Sequence, residues 1–226
     1  MSKKGLRHSP MEGGGRGRGN LDNVDGRIMD IRENTRFVKL QKKALELGAS
    51  DAKIISVDGI PVEDEVVEMC KAHLCKGYGK SANCPPHVMG PDQAREWIEK
   101  YETALFFKID VSPQILLSED RFETFKTIYM IASKLEASAR DEGFPLARGL
   151  AAGSCKPVFC KGRACEALTE EGECRYPSLA RPSMEAVGIN VFKLSKDVGW
   201  DIYLILKASD PDTVPKGMLA GLVLLS

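Results

Sequence analysis

Long apolar runs are missing from this sequence: none approaches the roughly 18 residues of a membrane span, so no membrane partner is expected. Nothing near residue 1 combines the basic start, apolar core and small-residue cleavage site of a secretory signal, which predicts a cytoplasmic protein. An excess of one charge is also lacking. Lys plus Arg and Asp plus Glu number 32 each, so no global field calls for nucleic acid or an acidic partner. Histidine is scarce at three residues, and only His73 and His87 fall in the part expected to fold. A Gly-x-Ser-x-Gly elbow, a His-Glu-x-x-His helix and a dinucleotide fingerprint are all absent. These gaps remove common hydrolase, zinc-protease and nicotinamide readings, and leave open whether the protein is an enzyme.

Residues 1–27 lack the apolar content needed to fold. They carry six basic side chains (Lys3, Lys4, Arg7, Arg16, Arg18, Arg27) against three acidic ones (Glu12, Asp22, Asp25) and the run Gly13 to Gly19. The run has no preceding strand and no following Lys-Ser/Thr, so it is not a phosphate-binding loop. A disordered Gly/Arg-rich tail over 1–27 is expected, followed by one domain over 28–226.

What the chain does have is cysteine in a repeated spacing. Cys70, Cys75 and Cys84 lie 5 and 9 residues apart, as do Cys160, Cys165 and Cys174, and Cys155 stands five residues further upstream. Seven is an odd number for disulfides, and two short clusters are how thiolates converge on metal. All seven are therefore candidate metal ligands. Gly77 and Gly79 allow tight turns between them, and Pro85, Pro86 and Pro177 stiffen the chain just past the last cysteine of each group.

Between the clusters, helical and strand patterns alternate. Asn34 is placed to cap a helix with Phe37, Leu40, Ala44 and Leu47 on one face, closed by Gly48. Strands are expected at 52–57, 103–111, 146–152, 201–208 and 218–225. Helices are expected from Gly90-Pro91-Asp92, from Ser118 through the stripe Phe122 to Ala139, and over 179–187. The order suggests a single α/β domain, with α+β as the variant: a mixed sheet of about five strands flanked by helices. Both cysteine clusters follow strands, which predicts two cysteine-rich loops leaving one sheet edge together.

The residues around the cysteines carry a resemblance. Cys70-x4-Cys75 followed by Tyr78-Gly79 and Cys84-Pro85-Pro86, then Cys174-Arg175-x-Pro177 and Arg181-Pro182-Ser183-Met184-Glu185-Ala186-x-Gly188-Ile189, resemble the predicted metal-binding family called domain of unknown function 2284. The likeness runs from about residue 35 to the C-terminus. It implies a cysteine-ligated metal, with no assigned reaction.

Zinc takes four Cys or His ligands, often in pairs two to four residues apart. Longer gaps with a trailing proline suit an iron–sulfur cluster better, so one or two clusters, of the 4Fe-4S kind, are favoured over zinc. Cys155 can complete the Cys160, Cys165, Cys174 group or cross to the first triplet. His73 and His87 are further candidates for a missing ligand. The leading function is redox or electron transfer with a redox protein partner. The alternatives are a zinc-stapled interaction module and a metalloenzyme using an open position on the three-cysteine group.

Overall fold

A computed structural model describes residues 35–226. The expected tail over 1–27 and the cap at Asn34 lie outside the described residues. The two runs with the least polar content, Thr103–Val111 (β2) and Gly217–Leu225 (β4), form the centre of the sheet. They pair antiparallel along their whole length, from Thr103 against Leu225 to Val111 against Gly217. A strand buried on both faces needs no polar alternation, and these two show none over most of their residues. Asp51–Ser56 (β1) pairs antiparallel with β2, and Arg148–Leu150 (β3) pairs antiparallel with β4. The order is β1-β2-β4-β3.

Helices cover both faces. Thr35–Glu46 (α1) and Arg121–Asp141 (α5) pack on one side, with Phe37, Leu40, Ile128, Tyr129, Ile131 and Leu135 against Leu105, Phe107 and Val223. Asp64–Met69 (α2), Pro91–Ile98 (α3), Pro113–Leu117 (α4), Cys155–Phe159 (α6) and Val191–Asp197 (α7) complete the set. α3 and α7 cover the other face, placing Ala94, Ile98 and Leu194 against Ala104, Phe106, Leu222 and Leu224. The period of two in β2 thus sends alternate residues into two cores. No described helix is long and apolar enough to cross a membrane.

Four expectations are corrected. The sheet among the described residues has four strands, all antiparallel, not a mixed set of about five. Residues 201–208 form no strand, because both sides of β4 are already taken by β2 and β3. Leu204 and Leu206 in that segment remain 63% and 57% exposed. The stretch 179–187 is not one helix: its middle lies along the residues after β3, with Ala151 N–H donating to Pro182 C=O at 2.9 Å and Met184 N–H to Ala151 C=O at 3.1 Å. Only its end, Glu185–Val187, closes into a 3-10 turn. The helix from Ser118 begins at Arg121, preceded by the separate short α4.

Candidate metal centre

β1 and β3 are the two outer strands of the sheet and run in opposite directions, so the cysteine loops do not leave one edge side by side. The first loop is carried across instead. After β1 the chain makes a 3-10 turn (Val57–Gly59), α2 and a π turn (Cys70–Leu74), and its far end reaches the residues that follow β3. Contact occurs at Gly77, where an added Cβ would stand 2.9 Å from Ser154 Cβ and 3.4 Å from Cys84 Sγ. Cys84 Sγ donates to Ser154 Oγ at 3.3 Å, and Ser81 Oγ lies in hydrogen-bond contact with Cys155 Sγ at 3.2 Å. The Pro85–Pro86 peptide is cis, and Gly79 N–H donates to Pro85 C=O at 2.8 Å, closing the loop on itself.

Cys155, Cys160, Cys165 and Cys174 line one cavity of about 300 Å³. α6 positions the first of them: Ser154 caps the helix through Lys156 N–H, and Cys155 sits in its first turn facing the core. Phe159 and Tyr176 stack with ring centroids 5.3 Å apart, and Tyr129 meets Phe159 edge-on at 5.3 Å, so one wall is aromatic. Ser81, Ala82 and Asn83 of the first loop close another wall. Asn83 Nδ2 donates to Cys155 Sγ at 3.7 Å and Tyr176 N–H to Cys174 Sγ at 3.4 Å. Lys156 Nζ donates to the carbonyls of Cys160, at 2.9 Å, and of Arg163, pinning the turn between two of the cysteines.

Cys70, Cys75 and Cys84 form a second group. Cys70 and Cys75 share a hydrogen bond that holds Cys70 protonated and draws Cys75 below the ordinary thiol range, with help from the N–H groups of Gly77 and Tyr78. The Gly77 N–H stands 3.3 Å from Cys75 Sγ. Burial pushes Cys84 up to about 11, and burial also raises Cys155, with Ser81 and Asn83 opposing. The Ser81–Cys155 and Cys84–Ser154 contacts bring the two groups of cysteines against each other. Among the described residues, no three Cys, His, Asp or Glu side chains are already drawn to the spacing of a single-ion site.

His87 is exposed, and the side chain of His73 lies outside the described residues. Arg181 is paired with Glu136 on α5 at 2.8 Å. Glu136 also accepts from Gly149 N–H at 2.7 Å and from Arg140, which ties α5 to β3. Burial would raise its pKa, but Arg181, Gly149 and Arg140 together hold it below the ordinary carboxylate range. Arg175 pairs with Glu166 at the cavity rim. The cysteine spacing gave no signal for Ser81, Asn83, Tyr129 or Phe159, because hydroxyl, amide and aromatic side chains near a site have no periodic signature.

The donor set is chemically suited to soft metals: thiolates select zinc, copper(I) and iron–sulfur groups. A family model described as "Predicted metal-binding protein (DUF2284)" matches residues 53–225, starting after α1. Neither a curated protein nor a solved structure matches the chain.

Proposed function

The chain belongs to the DUF2284 family of predicted metal-binding proteins, and from that premise we propose that it is an iron–sulfur electron-transfer protein. The observation that carries this reading is the cavity of about 300 Å³ ringed by Cys155, Cys160, Cys165 and Cys174. Those four cysteines would hold one cluster, and Cys70, Cys75 and Cys84 would supply three thiolates to a second. A bound cluster would supply one-electron chemistry.

The protein's own part is to set the surroundings of the sulfurs. Ser81 and Asn83 contact Cys155 Sγ, Gly77 N–H donates to Cys75, and Tyr176 N–H donates to Cys174. Hydrogen bonds of this kind favour the more reduced, more negative state of a cluster and raise its potential. Tyr129, Phe159 and Tyr176 keep water from one side. On the opposite rim Cys160 and Cys165 are half-buried, and residues 161–164 between them are exposed. That rim is where a redox protein partner would approach.

Anaerobic purification followed by an absorption spectrum and iron, sulfide and zinc analysis tests the proposal. A brown protein with about eight irons per chain supports two four-iron clusters, and about four supports one. A colourless protein loaded with zinc would overturn it in favour of a structural zinc module.

A further inference from the structure

A buried carboxyl group lies on the turn that packs against the helix leading into the first three cysteines. Glu185 opens the 3-10 turn Glu185–Val187, and the backbone fastens that turn to the segment leading into Cys70. Glu63 N–H donates to Gly188 C=O at 2.8 Å, Asn190 N–H donates to Pro61 C=O at 2.8 Å, and Val62 bridges Ile189. Gly188 has φ +90°, and a Cβ there would stand 3.1 Å from Val62 Cγ1 and 3.2 Å from Glu63 C=O. Glycine is what lets the two segments approach. On its other side the turn is held by Met184 N–H donating to Ala151 C=O, just ahead of Cys155.

The Glu185 carboxylate is turned inward. Burial raises its pKa, against its own N–H and the Ser183 hydroxyl, and Oε2 is shut off from solvent with no hydrogen-bond partner. A buried acceptor without a donor calls for an explanation, and an unfilled cation position is one. Its neighbours point the same way. The Glu185–Val187 turn packs on α2, and the C-terminal end of α2 runs directly into Cys70.

We infer that Glu185 is the fourth ligand of the Cys70, Cys75, Cys84 group, giving that site three thiolates and one oxygen donor. This rests on the iron–sulfur reading above and goes beyond it by completing the site that the cysteine count leaves one short. The two sites then differ in kind. Four thiolates make a closed site suited to passing electrons. A carboxylate is a harder ligand than a thiolate for cluster iron and exchanges more readily, so the second site has one iron able to take an exogenous oxygen or nitrogen donor.

The test is Mössbauer spectroscopy of wild type, Glu185→Gln and Glu185→Cys, each loaded with ferrous iron and sulfide without oxygen. Wild type is expected to show one iron subsite per chain with oxygen ligation. That subsite should be lost in E185Q, and converted to sulfur ligation in E185C. Oxygen ligation that persists in E185Q, or an all-sulfur wild-type spectrum, overturns the inference while the cluster reading stands. A wild-type chain that takes up no iron and sulfide overturns both. Should E185Q fail to fold, the wild-type and E185C spectra decide the matter, since only ligation by residue 185 exchanges oxygen for sulfur on that change.

Discussion

At the scale of single residues, two side chains carry separable roles. Cys155 lines the four-cysteine cavity while Ser81 and Asn83 of the first loop hold its sulfur. Cys155→Ser is expected to abolish the spectroscopic signal of one cluster and leave the other, with iron content falling by about half. Glu136 is structural by contrast. It is 4% exposed and answers Arg181, Arg140 and the Gly149 N–H. Glu136→Ala leaves buried positive charge and a bare N–H, and should cost about 3–5 kcal/mol in a denaturant titration. Because its folded pKa lies below the unfolded value of about 4.3, its contribution is complete above that pH and lost as pH falls through the folded pKa. Urea midpoints measured from pH 6 downward should therefore fall more steeply in wild type than in Glu136→Gln. The cysteines were legible as candidates from spacing alone, since thiols that converge on metal must recur at short intervals. Glu136 was not, and Glu185 stood out in the sequence only as part of the motif near the second cysteine group: a carboxylate distant in sequence declares its partners only when the backbone has brought them together.

At the scale of elements, the contact between the two cysteine loops hangs on a missing side chain. Gly77→Ala would place a methyl group 2.9 Å from Ser154 Cβ, and overpacking of that kind costs about 1–3 kcal/mol. The expected readout is a lower melting temperature together with broadened signals from both sites, because Cys84 and Cys155 lie on either side of the contact. Segment 201–208 tests the opposite kind of claim. Its apolar residues read as a buried strand, yet Leu204 and Leu206 are largely exposed. Leu204→Ser with Leu206→Ser should shift stability by no more than about 1 kcal/mol in the same titration. Helix α1 and strands β1, β2 and β4 were legible to within about one residue, since each has an uninterrupted apolar pattern and a turn signal at its end. The strand order was not, because hydrophobicity shows that a strand is buried and says nothing of which neighbour buries it. α2 and α7 were missed for a simpler reason: at six and seven residues they are too short to establish a period.

At the scale of the whole molecule, the thiol array joins segments that enter from opposite edges of the sheet, so bound metal would act as a cross-link between distant parts of the fold. Metal that binds only the native state adds its binding free energy to stability. Chelation or acid extrusion should lower the melting temperature by several degrees or more, and reloading iron and sulfide should restore it. Calorimetry on the two forms checks this. The strand order also sets a calendar for maturation. β4 follows β3 along the chain, yet it lies between β2 and β3. A nascent chain that has already exposed all seven cysteines has no slot in which to seat β3, and the hairpin of thiols beyond it stays unmoored until residues 217–225 are made. Assembly of the metal site is therefore postponed until residues 217–225 have been made, and a chain stopped before Gly217 should emerge with every cysteine and hold no cluster.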